Sequence, residues 1–267
     1  MTVRRGIFLS GVVVLCAWTL VPIWLLAIGA VSGRAGVSAW PKSLFPSSAG
    51  LDVLAAFLRI DEVWRATLTS VEVALMCMAI CLALGAPAGY ALARYSFRGA
   101  TTYRLLILLT RAFPVGILAL PLTVGFIRLG LYDTALGVAL MHAALALPFA
   151  VLVSASLFQA IPRELEEAAW VFGCSRLRAF TRVVLPIALP GMAATAIFAF
   201  VISWNEVFAA SVLTVRHRTL AAYLLAVLSE SPLHVQFAGG FVLIVPAILF
   251  IFLVRRHLFS MWGIANR

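Results

Sequence analysis

Between two long apolar stretches the chain reads Gln159-Ala160-Ile161-Pro162-Arg163-Glu164-Leu165-Glu166-Glu167-Ala168-Ala169-Trp170-Val171-Phe172-Gly173-Cys174-Ser175, and it continues through Arg176, Arg178 and Arg182 to Leu185-Pro186 and Pro190. Three of the chain's ten acidic residues fall within four positions here, just after a proline. Proline at a first helical position with acids in the first turn marks a helix start. Leu165, Ala168, Ala169 and Phe172 recur at three-to-four-residue spacing and predict a short helix with an apolar stripe. Gly173 permits a turn, after which Arg176, Arg178 and Arg182 ride a second short helix. A compact helical elbow with small alanines on its contact side is suited to docking in another protein's groove.

What surrounds the elbow is overwhelmingly apolar. The 267 residues are 64% hydrophobic and 11% charged, against about half and about a quarter in soluble domains. With a mean hydropathy of +1.09, a soluble core cannot absorb this surface and a bilayer can. Six segments reach the ~20 residues needed to cross the hydrocarbon core: Ile7–Val31, Leu68–Ala93, Leu105–Ile127, Thr134–Phe158, Gly191–Leu213 and Gly239–Val254. Prolines inside them (Pro22, Pro87, Pro114, Pro121, Pro148, Pro246) are tolerated in membranes as kinks whose freed groups neighbours satisfy. The apolar run after Arg4 and Arg5 exceeds the 7–15 residues of an ordinary signal-peptide core, so it reads as a retained helix. The whole, 1–267, is expected to be one all-α membrane domain, with its core over 68–254 and the elbow loop over 159–189.

The net charge of +10 is spread singly between spans, without a basic cluster interleaved with aromatics, which argues for topology and against nucleic-acid binding. With the N-terminus inside, the inner segments carry Arg4, Arg5, Arg94, Arg98, Arg104, Arg163, Arg176, Arg178, Arg182, Arg255, Arg256 and Arg267. The outer ones carry Arg34, Lys42, Arg59, Arg65, Arg128, Arg216 and Arg218. Both termini and the elbow are therefore expected on the cytoplasmic side. Cys16, Cys77, Cys81 and Cys174 form no disulfide framework, and neither a His nor a carboxylate joins the Cys77/Cys81 pair to make a metal site.

The elbow resembles the EAA loop of bacterial ABC importer permeases. Glu167-Ala168-Ala169, Gly173 and Leu185-Pro186 match that family's order and spacing, while Phe172 stands where the family usually has aspartate. Arg128-Leu129-Gly130-Leu131-Tyr132-Asp133-Thr134, Ala146-Leu147-Pro148-Phe149 and Trp204-Asn205-Glu206 resemble segments of the carbohydrate (MalG-like) subfamily, and the general character is similar to permeases of actinobacterial trehalose importers. The resemblance implies a type I importer permease fold of six transmembrane helices. It implies a second permease subunit in a heterodimer, two ATPase subunits that bind ATP and Mg, and an extracytoplasmic sugar-binding protein. The substrate it implies is a di- or oligosaccharide such as trehalose or maltose. Glu164, Glu167, Ala168, Ala169, Gly173 and Ser175 are the expected ATPase-coupling residues.

Within this chain no phosphate-binding loop exists: the lone lysine, Lys42, follows Ala39-Trp40-Pro41 rather than a glycine-rich turn. ATP hydrolysis, and any cofactor, is expected in partners. A serine hydrolase would need a Gly-x-Ser-x-Gly elbow, and none occurs; His142 reads as a polar group capped by a neighbouring helix. Charges at membrane depth call for a partner or a wet cavity. Arg111, about six residues or ~9 Å from the inner end of its span, can snorkel inward. Trp204, Asn205, Glu206 and Glu72 are the candidate translocation-pathway residues, since sugars are held by aromatic faces with nearby donors and acceptors. An ion-coupled secondary transporter using Glu72 and Glu206 is the alternative.

Overall fold

The computed structural model describes residues 2–41, 44–45 and 50–261; Lys42 and Arg267 lie outside the described residues. Its helices are α1 (Thr2–Val31), α2 (Gly33–Ser38), α3 (Asp52–Leu58), α4 (Asp61–Arg94), α5 (Ala100–Leu109), α6 (Val115–Arg128), α7 (Ala135–Gln159), α8 (Glu164–Val171), α9 (Arg176–Ala179), α10 (Leu185–Asn205), α11 (Phe208–Leu213), α12 (Leu220–Leu228) and α13 (Leu233–Met261). No strand occurs among the described residues. The chain forms two compact units, 1–65 with 224–246, and 66–223 with 247–267.

In the first unit α1 exposes Ile7, Phe8, Leu15 and Trp18, an apolar surface suited to lipid. Trp24 Nε1 donates to the Leu44 carbonyl at 3.1 Å. This unit also holds the short helices α2 and α3.

The second unit is built on α4, α7 and α10. Lipid tails are as apolar as leucine, so close packing of small residues takes over the role that hydrophobic burial has in water. On α7 the buried stripe is Ala139, Ala143, Ala146 and Ala150, at helical spacing. Gly85 and Gly89 of α4 face it. A Cβ at Gly89 would stand 2.6 Å from Ser154 Cβ and 2.7 Å from the Ala155 nitrogen, so only glycine lets the two backbones approach this closely. The α7–α10 contact is completed by stacked rings, Phe149 on Phe198 at 3.5 Å.

Three expected spans are corrected. The third is not one helix: α5 and a 3₁₀ turn (Thr110–Ala112) meet α6 at 90°. Pro114 has no N–H to continue the ladder, and Phe113 before it is extended (φ −76°, ψ 122°), the conformation a following proline favours. Pro22, Pro87, Pro121, Pro148 and Pro246 stay inside helices. The fifth span begins earlier and ends sooner than expected. It is continuous from Arg176 to Asn205, breaks at Glu206 and Val207, and resumes as α11. The sixth begins at Leu233 rather than Gly239.

Candidate functional site

The elbow starts two residues after Pro162, with Arg163 at the N-cap, so the proline lies just outside the helix. Glu164, Glu166 and Glu167 occupy the first turn, where carboxylates offset the partial positive charge of the free amides. The helix is closed by a Schellman arrangement. Gly173, at φ +80°, donates to the Trp170 carbonyl and Cys174 donates to Ala169, both at 2.9 Å. Ser175 Oγ then accepts from the Arg178 nitrogen at 3.3 Å, capping α9. From α9 the chain passes into α10 through a π-helical segment, Phe180–Val184. Leu185 N–H reaches back to the Phe180 carbonyl there, next to Pro186, which has no N–H to give. The elbow's second arm and the fifth span are therefore one continuous helical path, Arg176–Asn205.

The expected apolar stripe divides between two faces. Ala169 turns inward, whereas Leu165, Ala168 and Phe172 are exposed. Val171 (85%), Phe172 (86%) and Leu177 (72%) stand almost fully open and make an apolar knob at the elbow's tip. Glu164 and Glu167 are also exposed.

The residue that the sequence did not single out is Glu166. Its carboxylate is buried, ion-paired with Arg94, and accepts from the Tyr90 hydroxyl at 2.6 Å. Arg94 also donates to the Ile161 carbonyl at 2.9 Å. Tyr90 in turn packs on Phe180 and Phe158. The elbow is thus pinned to the end of α4, whose 34 residues extend roughly 50 Å, well past a ~30 Å hydrocarbon core. The signal was Tyr90 and Arg94, one helical turn apart at the end of the second span. Beside this pair, Arg163, Arg176, Trp170 and Glu167 help line a cavity of about 170 Å³, with the Arg176 guanidinium 5.1 Å above the Trp170 ring.

The candidate pathway residues are not brought together. Trp204 is 2% exposed and stacks on Phe200, which stacks in turn on Phe250. Asn205 is exposed and its amide donates to the Val201 carbonyl. Glu72 is exposed on α4. Glu206 caps α11, accepting from Phe208 and Ala210 nitrogens at 3.1 and 3.2 Å, and stands 3.2 Å from His142 Nε2. His142 Nδ1 lies 2.9 Å from Ser203 Oγ. A serine does therefore meet His142, but His142 is 0% and Ser203 3% exposed, and neither lines any of the cavities described here.

Arg111 is at the bend of the third span, exposed, with no carboxylate within 4 Å among the described residues. It lines a cavity of about 550 Å³ with Thr110, Phe113, Met141, Pro148 and Ile202. The expected escape along a straight helix is replaced by a position at a helix break.

Asp133, in the connection before α7, joins two loops. One carboxylate oxygen accepts from the Val215, Arg216 and His217 nitrogens at 2.9, 3.0 and 3.0 Å, and its own N–H donates to the Leu213 carbonyl. Partial burial raises its pKa, and the three amides together with His217 outweigh this and lower it below the usual carboxylate range.

An all-helical membrane protein with an elbow carried on its longest spans is the architecture of a transport subunit. Residues 85–260 match the family described as binding-protein-dependent transport system inner membrane component, and the chain belongs to that family, the permeases of ABC importers. It is 33% identical over 225 residues to the trehalose transport system permease protein SugB of Mycobacterium tuberculosis, covering 80% of this chain and 81% of that one. It is 37% identical to a putative ABC transporter permease protein of Streptomyces antibioticus, over 73% and 87% of the two chains. A crystal structure of a bacterial ABC transporter that imports the acidic polysaccharide alginate shares the fold at TM-score 0.75 and 20% identity, covering 96% of this chain and 97% of that chain.

Proposed function

We infer that this chain is one of two permease subunits of a sugar importer, driven by ATP hydrolysis in two partner ATPases and fed by an extracytoplasmic binding protein. A di- or oligosaccharide of the trehalose or maltose kind is the substrate class, a reading supported by the relatives named for trehalose and for diacetylchitobiose uptake. Both termini and the elbow face the cytoplasm.

The observation that carries this reading is the exposed apolar knob of Val171, Phe172 and Leu177, presented by an elbow that is pinned at its back by Glu166. An apolar tip in water has no stabilising role within this chain and is suited to a partner's groove. When the ATPases close on ATP, the elbow moves as a body. The Glu166–Arg94 pair carries that displacement to α4, and the π segment carries it to α10. Substrate passes the cavity at the bend of the third span, where Arg111 offers donors, Thr110, whose own proton goes to the Ile107 carbonyl, an acceptor oxygen, and Phe113 an apolar ring face.

The test is Phe172→Ser together with Leu177→Ser, which remove the knob without touching a buried group. Expected are an unchanged melting temperature, loss of ATPase subunits from the purified complex, and loss of labelled-trehalose and labelled-maltose uptake. ATPase retention at wild-type levels would refute the docking assignment. A wild-type complex with its ATPases docked and no uptake of either sugar would instead refute the substrate class.

A further inference from the structure

His142 is buried with no exposed surface in the second unit and touches a different helix with each ring nitrogen. Nδ1 meets Ser203, the third residue from the end of α10. Nε2 meets Glu206, the first residue past that end. The backbone changes direction between them: Asn205 is the last helical residue, Glu206 is extended (φ −77°, ψ 118°), and Val207 returns to helical angles before Phe208 starts α11.

Glu206 belongs mechanically to the far side of this break. Its two carboxylate oxygens hold the Phe208 and Ala210 amides, so it travels with α11. Ser203 travels with α10. His142 is fixed on α7, and the neutral ring with its proton on Nε2 suits both contacts: it donates towards the carboxylate and accepts from the hydroxyl. The two contacts are unequal. Nδ1 makes a full hydrogen bond, whereas Nε2 stands near Glu206 without the alignment of one. The rest of the α11 surface on this side is apolar, with Ala209, Ala210 and Leu213 packed with Ala119 of α6 and Val138 and Met141 of α7. Such a face can slide or roll at little cost.

We propose that His142 is a positioning residue for transport, a latch whose Nε2–Glu206 contact fixes the angle between α10 and α11 and opens when the gate turns over. The contact that must break is the misaligned one. The caps inside α11 and the Ser203 bond between α7 and α10 persist through the movement. This inference rests on the chain being an ATP-coupled permease, not on which sugar it carries.

The test compares two substitutions that divide the ring's functions in the assembled complex with its ATPases, in nanodiscs. His142→Gln places an amide N–H where Nε2 was and keeps the Glu206 contact. His142→Asn reaches only as far as Nδ1 and keeps Ser203. With the latch open, ATPase activity in the absence of binding protein rises in His142→Asn by about twofold, the lower end of what a polar contact contributes, and stays at the wild-type level in His142→Gln. Asn also leaves the larger space, so His142→Leu, which fills the site without an N–H, is the packing control and should show the raised activity as well. A second measurement needs no variant at His142: spin labels at exposed Leu189 on α10 and Phe208 on α11 should change separation when a non-hydrolysable ATP analogue binds. Equal basal activity in both variants, or an unchanged label distance, overturns the latch. A wild-type complex without any ATPase activity would instead overturn the ATP-coupled reading on which it stands.

Discussion

The Arg94 guanidinium, at the end of the longest described helix, is ion-paired with the buried carboxylate of Glu166 in the first turn of the elbow. The pair is local in space but 72 residues apart in sequence, so it ties the elbow to α4 independently of the covalent path into α10. Removing one member of a buried pair leaves the other charge without compensation, at about 3 kcal/mol or more. Glu166→Ala is expected to lower the melting temperature in detergent and to loosen the elbow to protease. Replacing both, Arg94→Met with Glu166→Leu, should recover much of the stability but not the transport, because the mechanical tie is gone. A double variant with wild-type transport would show that the covalent path through the π segment is sufficient.

Gly173 closes the elbow at φ +80° with open space where a Cβ would go. Space is therefore not the issue; backbone conformation is. Gly173→Asn should be nearly neutral, because Asn tolerates this region, and Gly173→Ala should cost about 1 kcal/mol. Gly173→Pro can neither adopt the angle nor donate to the Trp170 carbonyl, and should cost about 3 kcal/mol or more. Thermal melting and ATPase co-purification should rank the variants in that order. If Gly173→Pro keeps fully coupled ATPase activity, the elbow is not the lever.

How much of this was legible in the sequence follows physical lines. The elbow's turn, caps and acidic first turn are local, and each has a residue type that the backbone demands. The spans were legible for the same reason, since apolar length is a one-dimensional property. The breaks were not. Six prolines fall inside expected spans and all lack the same N–H, yet the 90° bend comes at Pro114 alone, where residues of α7 and α10 line a cavity against it. The break at Glu206 has no proline at all, and its carboxylate faces His142, 64 positions earlier. Glu166 looked like one acid among three, and what distinguishes it is where Tyr90 and Arg94 end up. Pairings of this kind are set by tertiary packing, which a single sequence does not display.

The approach of α4 to α7 supplies a sharp contrast between two glycines. At Gly89 the nearest obstructions to a Cβ include the backbone nitrogen of Ala155, which cannot swing aside. Gly89→Ala should separate the helices and cost about 1–3 kcal/mol. Gly125, inside α6, has nothing within 4 Å. Gly125→Ala there should be neutral or stabilise by up to about 1 kcal/mol, through helix propensity alone. Melting both variants in one detergent checks the sign difference. A destabilised Gly125→Ala paired with a neutral Gly89→Ala would contradict the packing assigned to α4.

Asp133 gives a pH signature outside the spans. It is held at φ +56° by its own N–H bond to Leu213 and by three amides on one carboxylate oxygen, and its pKa is lowered relative to the unfolded chain. For a depressed carboxylate the sign is fixed. The stabilising contribution is fully present above the unfolded value of about 3.9, and it is lost as pH falls through the lower folded value. Asp133→Asn keeps the shape and tolerates the left-handed angle but has no charge to lose. The wild type should therefore melt above Asp133→Asn at neutral pH, by an amount corresponding to about 1 kcal/mol. The gap should narrow only below about pH 4, without change between pH 5 and 7 from this group. A gap that closes instead between pH 5 and 7 would contradict the assignment of the effect to the Asp133 carboxylate.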